Sequence, residues 1–254
     1  MPDFSLANQT AIVTGASSGL GAHFAHVLAE AGARVALLAR RLRLAEEIAA
    51  EIADQHGTAA AFSCDVTDPD SIRRALQDVE STFGLPDILI NNAGLHVGDT
   101  AIELKPEDWD SVMETNLRGT WLMTQDVARH WIERKRPGVI VNIASILGIT
   151  VSGGVMPYAV SKAALIHLTK SLALEWARHG IRVNALAPGY FPTDLNKDYL
   201  ASPAAEAMVK RIPMRRIGAF KDLDGPLLLL ASPASAYMTG TVIPIDGGHL
   251  VAGV

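Results

Sequence analysis

Two side chains that could exchange a proton lie four residues apart in Tyr158-Ala159-Val160-Ser161-Lys162. On a helix this spacing places the phenol and the ammonium next to each other on one face. An unperturbed tyrosine has a pKa of about 10, which is too high for proton transfer near neutral pH. Because a neighbouring cation favours the phenolate, Lys162 is expected to lower the pKa of Tyr158. The pair is a candidate acid/base catalyst; an aromatic ring packed by a lysine stem is the alternative.

A glycine-rich turn could bind the phosphates of a nucleotide. Thr14-Gly15-Ala16-Ser17-Ser18-Gly19-Leu20-Gly21 follows a predicted strand and begins a predicted helix. Glycines let the backbone turn tightly and approach a pyrophosphate, and the helix N-terminus offers free N–H groups and a positive dipole end. The spacing is GxxxGxG and not GxGxxG, so a turn with only a structural role is the alternative.

The end of the second predicted strand indicates which nicotinamide dinucleotide would bind. Ala39 occupies the region where an acidic residue would accept from the ribose 2′-hydroxyl of NAD, and Arg40 follows it. A guanidinium suits a 2′-phosphate because it can form charge-assisted bidentate bonds. The sequence therefore predicts a preference for NADP(H), with NAD(H) also possible; a solvated arginine cluster at a helix start is the alternative.

Strands and helices that could position these groups alternate along the chain. The predicted strands are short apolar runs: Ala11–Thr14, Val35–Ala39, Ala60–Ser63, Ile88–Asn91, Val139–Ile143, Val183–Ala187 and Val242–Ile245. The predicted helices between them are Gly21–Ala31, Leu44–Gln55, Pro69–Phe83, Pro106 to about Arg134, Tyr158–His179 and Asp222–Ala231. This order predicts an α/β fold, a doubly wound Rossmann-type parallel sheet of seven strands with helices on both faces. Residues 1–254 are predicted to form one domain, in which the proline-containing segment of about 189–218 is a substrate lid.

Composition excludes several other classes of protein. Hydrophobic residues make up 49% of the 254 residues and charged residues 19%, which suits a folded core. The net charge of -5 gives no electrostatic support for nucleic-acid binding. Cys64 is the only cysteine, which excludes an intrachain disulfide. Since no signal peptide or membrane-spanning segment is evident, a cytoplasmic location without a membrane partner is expected.

The combined motifs closely resemble the short-chain dehydrogenase/reductase family. Besides the glycine turn and the Tyr158/Lys162 pair, they include Asn91-Asn92-Ala93-Gly94, Asn116, Ser145 and Pro188-Gly189, in family order from Leu6 to Gly248. The resemblance implies an oxidoreductase that transfers hydride between a nicotinamide cofactor and an alcohol/carbonyl pair. It implies four catalytic residues. Tyr158 is the general acid/base, Lys162 assists it and holds the nicotinamide ribose, and Ser145 stabilises the substrate oxygen. Asn116 bends its helix and holds a water that links Lys162 to bulk proton exchange.

The resemblance also implies a set of cofactor contacts. Asp65 would accept from the adenine amino group, and Thr193 would lie near the nicotinamide carboxamide. The complete predicted set is Gly15, Ser17, Ser18, Gly19, Leu20, Gly21, Arg40, Asp65, Val66, Asn92, Ala93, Gly94, Tyr158, Lys162, Pro188, Gly189, Phe191 and Thr193. Ser18 departs from a pattern of NADP-preferring relatives, many of which have a basic residue there. Arg40 is therefore the main argument for the phosphate.

The expected substrate pocket is largely apolar, which favours a neutral ketone or secondary alcohol. Its expected walls are Leu95–Val97, Ile146–Gly148, Val151–Met156 and Tyr190–Leu195, with Ser145, Leu147, Tyr158 and Tyr190 as substrate-binding residues. A sugar-acid or polyol dehydrogenase using NAD(H) is one alternative, and reduction of 3-oxoacyl thioesters is another. His130 and Leu174 argue against the latter, because reductases that dock an acidic carrier protein resemble one another in having arginine at these positions. A non-catalytic nucleotide-binding regulator is a remote alternative.

Two further expectations concern metal and assembly. His23 and His26 share a helix face without a cysteine or carboxylate set at ligand spacing, so no metal site is expected. The two long predicted helices are apolar around much of their circumference and carry the four tryptophans: Trp109, Trp121, Trp131 and Trp176. These features, together with the resemblance, predict a homotetramer that pairs these helices.

Overall fold

Seven strands form one parallel sheet in the computed structural model, which describes residues 3–193, 196–200 and 202–252. The strands are β1 (Thr10–Thr14), β2 (Arg34–Ala39), β3 (Thr58–Ser63), β4 (Ile88–Asn91), β5 (Gly138–Ile143), β6 (Ile181–Pro188) and β7 (Val242–Ile245). Their order is β3-β2-β1-β4-β5-β6-β7, and every pairing is parallel. The strand order reverses between β1 and β4, which is where a doubly wound sheet opens a crevice at the carboxyl ends of its strands. The predicted fold class is confirmed.

Helices cover both faces of the sheet. They are α1 (Gly19–Glu30), α2 (Leu42–Asp54), α3 (Pro69–Phe83), α4 (Pro106–Met113), α5 (Thr120–Glu133), α6 (Met156–Trp176), α7 (Lys197–Leu200), α8 (Pro203–Val209) and α9 (Asp224–Ala231). Phe24 of α1 and Leu227 of α9 belong to the core on one face, and Ile72 of α3 and Trp131 of α5 belong to the core on the other. Because both faces are covered, the strands consist of continuous apolar runs, as the sequence indicates.

The strand β6 is longer than predicted at both ends, since the sequence indicates only Val183–Ala187. The charged residue Arg182 hides the beginning of the strand from a hydrophobicity pattern. Its guanidinium donates to the Ser235 hydroxyl at 2.8 Å and to the carbonyls of Leu230 and Ser232 at 3.1 Å. These bonds satisfy the charge without interrupting the sheet.

The long helix predicted from Pro106 to about Arg134 contains a turn of a different kind. Between α4 and α5, Glu114–Gly119 forms a π-helical segment, in which one extra residue is accommodated in the turn. The Asn116 carbonyl accepts from the Thr120 hydroxyl at 3.0 Å. This change of pitch carries the Asn116 side chain, which is fully buried.

Candidate functional site

Tyr158 and Lys162 lie on one face of α6, one turn apart. The Lys162 ammonium is 5.5 Å from the centroid of the Tyr158 ring and donates to the carbonyl of Ile143, at the end of β5, at 2.8 Å. Pro157 in the first turn suits the start of this helix. The first turns of α6 thus present both groups at the carboxyl end of the sheet, and only 4% of Lys162 is exposed.

Ser145 reaches the same point from the segment after β5. Its hydroxyl accepts from the Leu147 N–H at 3.1 Å and caps the 3₁₀ turn Ile146–Gly148. It also forms a hydrogen bond with the Tyr158 side chain. The capped turn fixes the direction of the serine side chain, so that its hydroxyl and the phenol can contact one substrate oxygen.

Burial dominates the ionisation of this pair. It raises the pKa of Tyr158, an effect that the bond from Ser145 opposes. It also lowers the pKa of Lys162 from 10.5 to about 8. The sequence leads us to expect a lowered pKa for Tyr158, whereas the structure gives the opposite direction. The physical reason is that removing water disfavours both the phenolate and the ammonium, and this desolvation is invisible in the spacing of the two residues.

Asn116 faces this pair from the π-helical segment. Its side-chain oxygen accepts from the Leu95 N–H at 2.8 Å, and its side-chain nitrogen donates to the Leu95 carbonyl at 2.8 Å. A methyl group at Gly94 would lie 3.2 Å from the Asn116 side-chain oxygen and 3.6 Å from the Lys162 nitrogen. These two polar atoms therefore flank one small space, which exists because residue 94 has no side chain.

The glycine turn is built for close approach of backbones. Gly15 has a φ of +65°, and a side chain there would lie 2.8 Å from the Ala93 Cα atom. A side chain at Gly21 would overlap the Gly15 carbonyl oxygen. The turn leads directly into α1, which is long enough for its first N–H groups to form an anion site.

Two arginines lie beside this turn, and the sequence analysis predicts that only one of them, Arg40, contacts the cofactor. Arg40 and Arg41 both line the cavity. Arg41 donates to the Ser17 hydroxyl at 3.1 Å and to the Ser18 hydroxyl at 2.8 Å. Arg41 is therefore a residue of this cavity that the sequence analysis did not include in its predicted set. Its place in the basic run Arg40-Arg41 is the signal that could have identified it.

Acidic and amide side chains form the next part of the wall. Asp65 accepts from the Thr67 N–H at 2.9 Å and hydroxyl at 2.8 Å. Burial acts to raise the pKa of Asp65, but these bonds and the charge of Arg40 hold it below its ordinary value. Asn92 donates from its side chain to the Thr14 carbonyl at 3.0 Å. Its amide thus joins β4 to β1 and acts as a scaffold in this structure.

The segment after β6 forms the opposite wall. A side chain at Gly189 would lie 2.9 Å from the Asp246 Cα atom, so the two backbones can pack only with glycine there. Thr193 is held by Asn196, whose side-chain oxygen accepts from the Thr193 N–H at 3.0 Å. Leu195, a part of the expected pocket wall, lies outside the described residues.

One cavity of about 790 Å³ joins these groups. Of the residues predicted for catalysis, cofactor and substrate, all except Asn116 and Gly21 line it. The cavity is more polar than the sequence indicates. The lining includes four polar side chains that are not among the predicted substrate-binding residues: His96 and Ser152 of the expected walls, Asn196 and Tyr199. The His96 ring lies 6.2 Å from the Tyr158 ring.

The cavity suits a nicotinamide dinucleotide. Its glycine turn leaves a cradle that side chains would fill, a helix N-terminus faces the anion position, and two arginines stand where a phosphate could be bound. Among the described residues, no cluster of three histidine, cysteine or acidic side chains could hold a metal ion. None of the helices in the described ranges combines the length and apolarity needed to cross a membrane.

Comparison with known proteins identifies the family. A family model described as enoyl-(acyl carrier protein) reductase matches residues 15–249. Gluconate 5-dehydrogenase of Gluconobacter oxydans (strain 621H) is 38% identical over 253 residues, 99% of this chain and 98% of that protein. A short-chain type dehydrogenase/reductase from Mycobacterium marinum is 39% identical with a TM-score of 0.93, and 97% of each chain is covered. The chain belongs to the short-chain dehydrogenase/reductase family.

A third relative was solved with a cofactor. Gluconate 5-dehydrogenase from Burkholderia cenocepacia J2315, in complex with NADP and tartrate, is 36% identical with a TM-score of 0.95, and 99% of each chain is covered. With the family and the site in agreement, the chain is an NAD(P)-dependent oxidoreductase that acts on a CH–OH/C=O pair.

Proposed function

We propose that this enzyme transfers hydride between NADP(H) and a ketone or secondary alcohol, with Tyr158 as the general acid/base. The observation that carries the proposal is the meeting of Tyr158, Ser145 and Lys162 in one cavity. In reduction, the Tyr158 hydroxyl donates its proton to the substrate oxygen; in oxidation, its phenolate takes that proton back. Ser145 donates a hydrogen bond to the same oxygen and stabilises the charge that develops there.

The remaining groups hold the cofactor and the proton path. When bound, the nicotinamide supplies the hydride in reduction or accepts it in oxidation. Lys162 would hold the nicotinamide ribose, and the glycine turn would hold the pyrophosphate. The small space flanked by Asn116 and Lys162 supports a role for Asn116 in holding a water on the proton path.

The decay of nicotinamide absorbance with a panel of carbonyl substrates tests this function. Tyr158→Phe should abolish turnover, because the phenylalanine ring has no exchangeable proton. Tyr237→Phe is the matched control, since Tyr237 is fully exposed and should retain full activity. Undiminished turnover in Tyr158→Phe would refute the assigned chemistry and restore the alternative of a nucleotide-binding regulator.

We also propose a preference for NADP(H) that rests on both arginines. Arg41 stands within bonding reach of the serine hydroxyls of the glycine turn, and Arg40 lines the same cavity beyond the end of β2. That strand ends at Ala39, where an NAD-binding site would have an acidic side chain. Two charge-assisted contacts to a 2′-phosphate would together favour NADPH over NADH by roughly a hundredfold or more in kcat/KM.

Charge reversal tests the cofactor preference. Arg41→Asp and Arg40→Asp should each raise KM for NADPH while changing KM for NADH much less. Arg43→Asp is the control, because Arg43 pairs with Glu47 at 2.8 Å and does not line the cavity. Equal kcat/KM with both cofactors in the wild type would contradict the proposal.

A polyol or sugar acid is the second candidate substrate. The polar side chains His96 and Ser152 line the cavity and could bind substrate hydroxyls, whereas a simple ketone needs neither of them. Two relatives are gluconate 5-dehydrogenases, which supports the same candidate. A panel of neutral ketones, polyols and sugar acids separates the two, since turnover of acids alone would displace the neutral ketone.

Reduction of carrier-bound 3-oxoacyl groups has less support. The His130 imidazole is bonded to the Glu80 carboxylate at 2.7 Å, so it already has an anionic partner. Leu174 is 84% exposed and offers no charge to an acidic carrier protein. A 3-oxoacyl thioester in the same substrate panel tests this alternative.

The lid and the assembly complete the proposal. We propose that residues 1–254 act as one domain and that the segment of about 189–218 closes over the substrate, since Tyr199 of α7 lines the cavity. Trp121 and Leu174 are exposed at 37% and 84% on α5 and α6, which supports the pairing of these helices in a homotetramer. Light scattering tests the assembly, and a monomer would contradict it. A cytoplasmic location and the absence of a metal site stay predictions.

A further inference from the structure

Ser161 lies between Tyr158 and Lys162 on α6 and is fully buried. Its hydroxyl accepts from the Asn116 side-chain nitrogen at 3.1 Å and donates to the Tyr158 carbonyl at 2.7 Å. One hydroxyl thus connects the π-helical segment that carries Asn116 to the helical turn that carries Tyr158. Neither the cavity lining nor the sequence motifs assign this residue a role.

The bond to Ser161 satisfies the last hydrogen-bonding group of the buried Asn116 side-chain amide. The side-chain nitrogen of Asn116 has two hydrogens, one bonded to the Leu95 carbonyl and the other to Ser161. The side-chain oxygen accepts from the Leu95 N–H. Rotating the amide by half a turn would place its oxygen against the Leu95 carbonyl and its nitrogen against the Leu95 N–H. Only the observed orientation satisfies all three bonds, and Ser161 is the partner outside the Leu95 backbone.

The orientation of this amide determines what Lys162 faces. The Asn116 oxygen and the Lys162 nitrogen both lie near the position that a Gly94 side chain would occupy, at 3.2 Å and 3.6 Å from it. An amide free to turn would present its donor nitrogen toward the ammonium, where two donors cannot bond to each other. A proton path through this space therefore depends on the orientation of the amide, which the bond to Ser161 holds together with the two bonds to the Leu95 backbone.

We propose that Ser161 is a positioning residue, which fixes the Asn116 amide relative to the Tyr158 turn and thereby sustains proton transfer. The inference rests on the roles proposed above for Asn116 and Tyr158. Ser161 touches neither substrate nor cofactor, so its loss should lower kcat and leave KM nearly unchanged. With one buried amide hydrogen left unpaired, the expected reduction in kcat is about tenfold.

The first test compares two serine-to-alanine variants on one helix. Ser161→Ala should show the tenfold loss of kcat, with a steeper dependence of kcat on pH, because proton transfer becomes a larger part of the rate. Ser171→Ala is the matched control: its hydroxyl donates to the His167 carbonyl at 3.2 Å, a back-bond within α6 that has no link to the site. Ser171→Ala should keep the wild-type kcat. Ser161→Cys, which conserves volume with a weak acceptor, provides the same comparison if the alanine variant does not fold.

A double-mutant cycle separates a positioning role from a general structural role. In an Asn116→Ala background, Ser161→Ala should change kcat by less than about twofold, since the group that it positions is gone. An equal loss in both backgrounds, or a wild-type kcat in Ser161→Ala, would overturn the inference. If Asn116→Ala itself keeps the wild-type kcat, or Tyr158→Phe stays active, the proposed function fails instead, and the two failures are distinguishable.

Discussion

Replacing Lys162 by methionine should make this protein more stable and inactive. Burial lowers the pKa of Lys162 from 10.5 to about 8, so below pH 8 the folded protein holds an ammonium that is more favourable in the unfolded chain. At about 1.36 kcal/mol per pKa unit, the difference corresponds to about 3 kcal/mol of unfolding free energy. Methionine fills a similar volume without charge but leaves the Ile143 carbonyl without its donor, which costs about 1–3 kcal/mol.

The net gain at pH 7 is therefore about 1 kcal/mol, or a few degrees in Tm for a chain of this size. The dependence on pH is the sharper test. The pKa of Lys162 is lower in the folded protein than in the unfolded chain. The destabilisation by the buried ammonium is therefore complete below about pH 8 and disappears as pH rises toward 10.5. Between pH 7 and pH 9.5, wild type should gain about 2 kcal/mol relative to Lys162→Met.

Denaturant unfolding at both pH values, with turnover measured in parallel, tests this reasoning. Lys170→Met is the control, since Lys170 is exposed on the same helix and its replacement removes no buried charge. A stability difference between Lys162→Met and wild type that stays constant from pH 7 to pH 9.5 would refute the argument, as would full activity of the variant.

Two glycine substitutions and one labelling experiment have expected outcomes that follow directly from the packing. Gly94→Ala should lower kcat about tenfold with little change in Tm, because its methyl would fill the proposed space for the proton path, 3.2 Å from the Asn116 amide oxygen. Gly21→Ala should weaken NADPH binding at least tenfold in a fluorescence titration, since its methyl would overlap the Gly15 carbonyl. Burial, aided by neighbouring carboxylates, raises the pKa of the Cys64 thiol to about 12, so iodoacetamide at pH 8 should label it in urea and not in the native protein.

The controls for these changes are also available in the chain. Gly225→Ala serves both glycine variants, because a side chain there would meet nothing within 4 Å. Wild-type kcat in Gly94→Ala, or wild-type affinity for NADPH in Gly21→Ala, would show that the backbone yields where we expect it to be rigid. Rapid native labelling of Cys64 would mean that the edge of the sheet opens far more readily than its 3% exposure indicates.

The sequence predicts the order of elements well because strands buried on both faces appear as continuous apolar runs. Strands such as Ile88–Asn91 are continuous apolar runs bounded by polar residues, and the structure has β4 at those same residues. The prediction is weaker where a side chain is satisfied by contacts that sequence does not contain. Arg182 in β6 is the example, since its three partners lie about 50 residues away.

The site shows the same division between residue identity and residue environment. Spacing alone places Tyr158 and Lys162 on one helical face, but the direction of their pKa shifts depends on desolvation, which is a property of the assembled core. Sequence likewise selects a basic segment after β2 but not which arginine turns toward the glycine loop. Arg41 does so through two serine hydroxyls, and a one-residue difference in side-chain direction cannot be read from a run of like charges.

The geometry of the proposed proton path depends as much on the side chain that Gly94 lacks as on the polar groups around it. Gly94 has no side chain, which leaves a space between the Asn116 oxygen and the Lys162 nitrogen. The π-helical turn changes the pitch at the residue whose amide must face that space. Ser161 then satisfies the amide's remaining hydrogen. Each feature alone is a common structural detail. Together they leave only one orientation for the Asn116 amide. We therefore place the bond between Asn116 and Ser161, and not the exposed rim of the cavity, at the centre of the proposed proton chemistry.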